Sequence, residues 1–323
     1  MSNTLVSIII VTCGAGDYLE NCLKSILKQT FARLEIVIID NSSDSRVQSR
    51  IASLCPSAAV YAEKQNLYYC AGLNKGISKS TGDFILCLND DCVLDPLYIQ
   101  YALMPFDDPR IGMVSGKIMR PDKSTIDSTG LFLSAFRTAR ERGYNMRDKG
   151  QFQTGGSVFG ATGACALYRA AMVKEISVNG DFFDEDFQMF FEDLDVSWRA
   201  QRFGWKGYYN PAAVAYHVRG GTARQKRGHG KKFARMYLDD TLHRAVIKNR
   251  YSVILKNESF TGFVLHLPCI VLYDVCTWLF IAVFNPRFIA YMRKNPFSCK
   301  SAVRKRGIIQ KLLKNRPEIL IHR

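Results

Sequence analysis

The chain lacks several patterns that would assign it to a class directly. Its ten cysteines are scattered, without a C-x-x-C pair or the spacing of a zinc site. We therefore interpret them as buried, reduced thiols of a cytosolic protein. No charged N-terminal stretch precedes a cleavable apolar segment, so no secretory leader is expected. No internal repeat is present either.

The glycine fingerprint of dinucleotide-binding proteins is also incomplete. Gly14 and Gly16 follow an apolar stretch that predicts a first strand, but Leu19 occupies the position of the third glycine. That glycine allows helix and strand to pack closely, so its absence argues against an NAD site. Asp40, at the end of the next predicted strand, is better explained as a contact to a nucleotide base or ribose, or as a satisfied strand-end carboxylate.

Acidic residues are scarce in the last third of the chain. Residues 217–323 hold 22 Lys and Arg against 5 Asp and Glu, whereas residues 1–216 hold 22 against 24. The formal net charge of +15 therefore comes from the C-terminal part, and such a charge indicates an anionic surface or ligand. Basic residues beside an apolar run are typical of attraction to anionic lipid.

That apolar run, residues 263–284, is long enough to span a bilayer but contains His266, Pro268 and Asp274. These interruptions disfavour a simple transmembrane helix. A membrane-embedded or interfacial helical hairpin, or a helix packed on the domain, are the other interpretations.

The N-terminal half predicts an α/β fold. Val6–Val11 and Leu34–Ile39 are mainly apolar, largely β-branched runs, and an amphipathic helix separates them, which makes a βαβ unit. Phe84–Leu88 is a further buried strand, and the second half is expected to add antiparallel strands. Residues 137–157 are polar and glycine-bearing, which indicates a mobile loop. Ligands of such sheets bind beyond the carboxyl ends of the strands.

Two acid clusters and one histidine carry the predicted chemistry. Asn89-Asp90-Asp91 ends a strand, and a divalent cation, Mg²⁺ or Mn²⁺, between Asp91 and a diphosphate would relieve the repulsion of adjacent acids. Glu192-Asp193-Leu194-Asp195 opens a helix, where the dipole alone favours acids. Its functional interpretation makes Asp193 a general base, and Asp195 is expected to pair with Arg199.

His217 follows a strand-like run and precedes a basic, glycine-rich stretch. This position favours a role at a metal or diphosphate. The stretch from Arg219 to Lys232 would then fold over phosphates as a lid, with a solvated loop as the plainer interpretation.

Together these segments resemble the family 2 glycosyltransferases with a GT-A fold. Val6–Thr12 is similar to their opening strand, Ile36–Asp44 to their nucleotide-binding strand end, and Asn66–Ile77 to their N-x-G-F-A-x-G-x-N-x-G segment. Asn89-Asp90-Asp91 stands where the metal-binding D-x-D motif is expected, with Asn89 in place of the first acid. Tyr68 replaces the usual first glycine. The resemblance covers roughly residues 5–220.

The resemblance implies a set of site residues. Asp193 and Glu192 would form the catalytic pair, and Asp91 and His217 would bind the Mg²⁺ or Mn²⁺ cofactor. The residues implied to contact the nucleotide are Thr12, Asp40, Asn41, Asn66, Asn74 and Asp90. Those implied to contact the diphosphate are Arg219 and Arg224. Those implied to shape the acceptor and donor-sugar pocket are Thr162, Gly163, Ala164 and Trp198. The implied fold is a mixed, mostly parallel sheet flanked by helices in residues 1–222, with a basic, partly apolar helical region in residues 223–323.

The resemblance further implies an inverting hexosyltransferase that acts on a nucleotide-sugar donor. The pattern is most similar to bacterial rhamnosyltransferases, which suggests dTDP-rhamnose, with UDP-galactofuranose or another UDP-sugar as the alternative. A lipid-linked or oligosaccharide acceptor is expected at the cytoplasmic membrane face, as in O-antigen, capsule or cell-wall assembly.

Two other function classes are disfavoured by the residues themselves. A nucleotide-sugar pyrophosphorylase would need a basic glycine-rich loop, but no Arg or Lys lies between Val11 and Tyr18. Nucleic acid is not an expected partner, because acids at strand ends repel phosphate unless a metal intervenes.

Overall fold

The computed structural model describes residues 3–14, 16–219 and 239–315. These ranges fold into a mixed α/β structure. The strands are β1 Val6–Thr12, β2 Leu34–Asp40, β3 Ala59–Ala62, β4 Phe84–Asn89, β5 Cys92–Leu94, β6 Ile111–Met119, β7 Ile126–Ser128, β8 Leu131–Leu133, β9 Ala139–Glu141, β10 Gly156–Val158, β11 Cys165–Arg169 and β12 Lys206–His217. The α-helices are α1 Asp17–Ile26, α2 Ser45–Leu54, α3 Tyr68–Ser78, α4 Tyr98–Leu103, α5 Ala170–Ile176, α6 Glu192–Arg202, α7 Asp240–Asn257, α8 Phe260–Phe284, α9 Pro286–Lys294 and α10 Lys300–Lys314.

One large sheet organises the molecule, in the order β10-β12-β6-β11-β4-β1-β2-β3. β1 pairs in parallel with β2 and β4, and every residue of β1 is buried, as its β-branched run requires. The antiparallel strand β11 joins this parallel half to β6 and β12. The predicted fold class is confirmed.

The register gathers the strand ends at one edge of the sheet. Thr12 lies opposite Asp40, and Val11 lies opposite Asn89, so three carboxyl ends coincide. β11 runs the other way and pairs Cys165 with Leu88, which brings its N-terminal loop to the same edge. His217, at the end of β12, pairs with Cys92 just after β4. This edge therefore collects residues that are far apart in sequence.

The stretch predicted as a mobile loop, residues 137–157, instead contributes the strands β9 and β10. Arg142 explains part of this order. Its guanidinium lies over the rings of Phe152 and Tyr209, at 5.2 and 4.8 Å from their centroids, and Nη2 donates to the carbonyl of Thr129 at 3.0 Å. The contacts of one partly buried arginine thus help to order a segment whose composition alone predicts a loop.

The C-terminal helices pack against the sheet domain through α6 and α7. Lys256 of α7 is buried and lies 2.7 Å from Asp184 and 2.9 Å from Asp195 of α6. Asn257 donates to the other oxygen of Asp195 at 2.7 Å. The domain boundary predicted at residue 222 falls outside the described residues and stays a prediction.

Within the described ranges, α8 is one helix whose length and composition would suffice to cross a membrane. Only Ile270 and Ile281 are buried along its length. Its outward side carries strongly exposed apolar residues, including Leu265, Leu272 and Leu279.

Candidate active site

A cleft of about 340 Å³ opens at the carboxyl edge of the sheet. The strand ends, the loop before β11 and the start of α6 form its walls. Most of the site residues expected from the sequence line it: Asn41, Asn66, Asp90, Asp91, Thr162, Gly163, Ala164, Glu192, Asp193, His217 and Arg219. The structure thus brings the two acid clusters and the histidine into one cavity, while the role of each residue stays a prediction.

Four of the expected residues lie beside the cleft rather than in its lining. Thr12 donates to Asp90 at 2.7 Å, and Asp40 accepts the backbone N–H of Ser42 at 2.9 Å. The other two are held by contacts to residues outside the cleft lining. The Asn74 amide forms hydrogen bonds with both backbone groups of Phe183, and the Trp198 ring packs edge-on against Phe159. Arg224 and the rest of the predicted lid, residues 220–232, lie outside the described residues.

A candidate metal site lies at the junction of β4, β5 and β12. Ligand atoms of Asp91, Cys92 and His217 all lie within 4.8 Å of one another, and His217 Nε2 is 3.2 Å from Asp91 Oδ1. Carboxylate oxygen and imidazole nitrogen suit Mn²⁺, whereas the Cys92 thiol donates to the carbonyl of Ala164 at 3.3 Å. Asp91 and His217 therefore form the fitting pair of ligands.

Asp127, on β7, holds His217 in the orientation that a metal ligand needs. Its Oδ2 lies 2.7 Å from His217 Nδ1, so Nε2 points toward Asp91. Arg120 and Arg219 lie 3.1 and 3.4 Å from Asp127 Oδ1. Burial would raise the pKa of Asp127, but the hydrogen bond to His217 and the nearby cations outweigh it and lower the pKa.

The two carboxylates favour the charged form of the histidine that lies between them. Burial lowers the pKa of His217, but hydrogen bonds to Asp127 and Asp91 and their charges raise it to about 9. Two buried carboxylates thus attract positive charge at the place where a cation would sit.

The position of the missing first acid of D-x-D has a structural role. Asn89 accepts a hydrogen bond from the Tyr69 hydroxyl at 2.6 Å, and its amide nitrogen lies 3.5 Å from His217 Nε2. Asn89 thus connects the wall of the cleft to the candidate metal ligand. Tyr68, which stands where a glycine is usual, has a φ of 62°, in the left-handed region that glycine favours. Tyr68 thus adopts a backbone conformation that glycine adopts readily, and its side chain lines the cleft, half exposed.

The acid pair directly follows a turn with unusual backbone geometry. Phe190 and Phe191 have φ values of 67° and 70°, a conformation that costs about 1–3 kcal/mol for each such residue. α6 then begins at Glu192. Asp193 accepts hydrogen bonds from the N–H of Gly163 at 3.1 Å and of Leu194 at 2.7 Å. Glu192 is buried, and its Oε2 has no hydrogen-bond partner in the described part of the chain.

These environments affect the pKa values of the two acids differently. Burial, followed by the charge of Asp193, raises the pKa of Glu192 to about 8. Burial also raises the pKa of Asp193, but its two backbone N–H donors and the charge of Arg219 oppose this. We therefore assign the proton that the pair holds near neutral pH to Glu192, and the negative charge to Asp193.

The third acid of the motif belongs to the core of the protein. Asp195 is fully buried, and Arg199 Nε lies 2.9 Å from its Oδ2, which confirms the predicted pairing. Lys256 contacts the same oxygen. Asp195 therefore fixes α6 against α7 and is not part of the cleft.

Sequence reasoning missed three residues of the site: Tyr69, Asp127 and Glu141. Glu141 lines the cleft from β9 and accepts hydrogen bonds from Thr162 and Arg219, both at 3.1 Å. Tyr69 lay within the recognised Asn66–Ile77 segment, so a signal for it existed. Asp127 and Glu141 lie in stretches where no local pattern marks them.

The first comparison with known proteins concerns sequence families. Residues 7–177 match the family model Glycosyl transferase family 2. The poly-beta-1,6-N-acetyl-D-glucosamine synthase of Staphylococcus aureus (strain MSSA476) is 25% identical over 214 residues, 65% of this chain and 49% of the relative. That of Staphylococcus epidermidis is 23% identical over 224 residues, with the same coverage. The chain thus spans about half the length of these curated relatives.

Two solved structures share the fold. GalNAc-T7, crystallised with UDP, GalNAc and Mn²⁺, aligns with a TM-score of 0.59 at 15% identity, over 79% of this chain and 48% of the other. The mannosyltransferase PcManGT from Pyrobaculum calidifontis, in complex with GDP-Man and Mn²⁺, aligns with a TM-score of 0.55 at 14% identity, over 96% and 86%. At these identities the likeness concerns the fold alone.

Proposed function

Because the chain belongs to glycosyl transferase family 2, we propose that it transfers a sugar from a nucleotide-diphosphate donor to an acceptor hydroxyl. One observation carries the proposal. The acid pair Glu192 and Asp193 and the candidate metal ligands Asp91 and His217 line the same cleft, although they are distant in sequence. This cleft lies at the carboxyl edge of the sheet, where ligands of α/β folds bind.

The proposed step is a single displacement with inversion. The acceptor oxygen attacks the anomeric carbon and forms the new C–O bond, while Asp193 takes the hydroxyl proton. The bond from that carbon to the donor phosphate breaks, and its electron pair leaves with the nucleoside diphosphate. The two N–H donors of Asp193 favour its ionised form and fix its orientation, which is what a base needs.

We propose that Asp91 and His217 bind Mn²⁺ or Mg²⁺, with Asp127 orienting the histidine. When bound, the cation would offset charge that develops on the departing diphosphate. Both solved structures that share the fold were determined with Mn²⁺. Arg219 lies beside this site, 3.4 Å from Asp127, and adds a second positive group to the side of the cleft that the diphosphate would occupy.

For the donor, we propose a UDP-N-acetylhexosamine first. The staphylococcal relatives are named for poly-N-acetylglucosamine synthesis, and GalNAc-T7 was solved with UDP and GalNAc. dTDP-rhamnose, the donor predicted from the sequence, has no support among these relatives and remains the alternative to test, together with UDP-galactofuranose. The broader setting we propose is the assembly of a surface polysaccharide, with O-antigen as one possibility among these glycans.

We also propose that α8 lies in the membrane interface on the cytoplasmic side. Its inward side bonds to α7: Arg250 pairs with Asp274 at 2.9 Å, and Trp278 donates to Tyr251 at 3.2 Å. A crossing helix would carry these polar groups into hydrocarbon, which is costly. An interfacial helix keeps them on the protein side and places Leu265 and its outward neighbours in lipid.

This geometry supports an acceptor at the membrane surface, such as a lipid-linked glycan. The hairpin β8–β9 joins the two places. At its turn, Phe136 packs against Tyr273 of α8, with ring centroids 6.1 Å apart, and at its end Glu141 lines the cleft. The exposed apolar helix and the cleft are thus connected by one short hairpin.

A panel of nucleotide sugars tests the function. The melting temperature of the full chain is measured with UDP-GlcNAc, UDP-GalNAc, UDP-galactofuranose, dTDP-rhamnose and GDP-mannose, each with and without Mn²⁺. Release of nucleoside diphosphate is followed in parallel. We expect one UDP-sugar to stabilise the chain in a Mn²⁺-dependent manner and to be turned over. No shift and no turnover with any donor would contradict the proposal.

A further inference from the structure

The turn that precedes the acid pair depends on a residue from the C-terminal helices. Asn249 of α7 is fully buried, and its amide nitrogen lies 2.9 Å from three backbone carbonyl oxygens, those of Phe187, Met189 and Phe190. Three acceptors share the two hydrogens of one amide. This single side chain therefore satisfies most of the carbonyls of the turn.

The turn itself is held in conformations that an L-residue rarely adopts. Gln188 has φ 61° and ψ −59°, and Phe190 and Phe191 both have positive φ. Such a backbone persists only when its surroundings over-determine it. The Gln188 carbonyl accepts the N–H groups of Tyr69 and Cys70 at the start of α3, and Asn249 supplies the bonds from the opposite side.

The orientation of the Asn249 amide follows from these contacts. Its nitrogen faces the three carbonyls, whereas Oδ1 has no hydrogen-bond partner in the part of the chain that the structure describes. A buried, unsatisfied oxygen is unfavourable, so the arrangement costs stability on that side. The hydrogen bonds that the amide nitrogen donates to the three carbonyls of the turn offset this cost.

We infer that Asn249 is a positioning residue for Glu192 and Asp193, an inference that rests on the proposed function of that pair. The Phe191 carbonyl accepts the first hydrogen bond of α6, from Asp195 N at 2.9 Å, so the turn sets where the helix begins. Lys256 and Asn257, on the same helix as Asn249, hold Asp195 one turn further along. α7 thus fixes the acid pair from two points without touching the cleft.

The experiment uses the full chain and compares Asn249→Leu with Asp193→Asn and wild type. Leucine has the same number of side-chain heavy atoms in the same branched arrangement, and it removes the hydrogen-bond donors. We expect a kcat about 10- to 100-fold lower, as for a small displacement of a catalytic group, with the apparent Kd for UDP and Mn²⁺ unchanged. Amide exchange of residues 187–196 should accelerate, while exchange of β1 and β4 stays as in wild type.

Asn210→Leu is the matched control. Asn210 also donates its amide to a backbone carbonyl, that of Tyr101 at 2.8 Å, but Tyr101 belongs neither to the turn before α6 nor to the cleft lining. Two outcomes would overturn the inference. In the first, Asn249→Leu keeps the wild-type kcat and the wild-type amide exchange. In the second, it loses UDP binding and turnover only in proportion to a lower melting temperature, as the control does. If Asp193→Asn retains turnover, the proposed function of the pair fails instead, and the exchange result still decides the role of Asn249 in the turn.

Discussion

Asp193 Oδ2 accepts a hydrogen bond from the backbone N–H of Gly163, 3.1 Å away. The contact links the first turn of α6 to the loop that precedes β11. The group that would take a proton and the loop that would shape the sugar pocket are therefore fixed relative to each other. A change on either side of this bond is expected to affect turnover.

Replacing Asp193 with Asn should remove the base and keep the structure. The amide oxygen can still accept the Gly163 N–H, so the fold and nucleotide binding should persist. We expect kcat to fall on the order of 10²–10⁴-fold, measured as release of nucleoside diphosphate. Asp17→Asn, an exposed acid on α1, is the charge control and should retain full turnover. Near wild-type turnover of Asp193→Asn would rule out the assigned base.

Two glycines of the pocket loop should respond differently to alanine. A Cβ on Gly160 would overlap the side chain of Ser197, which lies on α6, so Gly160→Ala should shift that helix and lower both stability and turnover. A Cβ on Gly163 would meet Asp193 and Glu192 only at ordinary contact distance, 3.4 Å. Gly163→Ala should therefore fold normally and change mainly the KM for the donor. Equal melting temperatures for the two variants would contradict this account.

Glu192 predicts a stability that depends on pH in a definite direction. Its pKa is about 8 in the folded chain against an ordinary 4.5, so between these values the folded state holds a proton that the unfolded state releases. Stability is therefore lost as the pH rises through this window. Glu192→Gln removes the effect, so the variant should gain stability relative to wild type as the pH rises from 4.5 to 8.5. Thermal melts of both proteins across this range test it, and parallel curves would exclude it.

Asp127 should matter for the metal although it is not a ligand. Asparagine at this position can still accept the His217 N–H, but the charge that supports the histidine is lost. Second-shell changes of this kind typically weaken metal affinity 10–100-fold, and we expect Asp127→Asn to do so for Mn²⁺. Calorimetric titration of Mn²⁺ in the presence of UDP gives the affinity. An unchanged affinity would show that Asp127 has no such role.

The outward leucines of α8 should determine membrane binding. Leu265, Leu272 and Leu279 are spaced seven residues apart and are 57–72% exposed. Each would contribute about 1.5–3 kcal/mol when buried in lipid, so replacing all three with Asn should release the protein from vesicles of phosphatidylglycerol and phosphatidylethanolamine. Flotation measures this, and Leu27→Asn with Met104→Gln, equally exposed elsewhere, is the control. Unchanged flotation of the triple variant would contradict an interfacial α8.

Much of the architecture followed from local pattern. Composition and position mark the buried runs of β1 and β2. They also mark the acids directly after β4, His217 at the end of β12, and the acids at the start of α6. Parallel strands share an edge, so their ends could be expected to meet. The acids and His217 were accessible to sequence reasoning for this reason.

Other residues acquire their roles only through distant contacts. Asp127 meets His217 across 90 positions, and Asn249 reaches Phe187 across 62. No window of sequence contains both partners. Conversely, Asn74 belongs to a recognisable motif, yet its amide bonds to the backbone of Phe183, and packing rather than ligand geometry fixes it here.

The packing of α7 beneath the turn at Phe190 has a practical consequence for engineering. A chimera joined just after His217 would keep Glu192 and Asp193 of this chain and take every later residue from another transferase. Such a junction would exchange Asn249 and Lys256 for foreign side chains and remove the hydrogen bonds that hold the turn at Phe190 and the Asp195 carboxylate. A junction after Asn257 would instead exchange α8, α9 and α10 alone and keep the contacts of α7 to the turn and to Asp195.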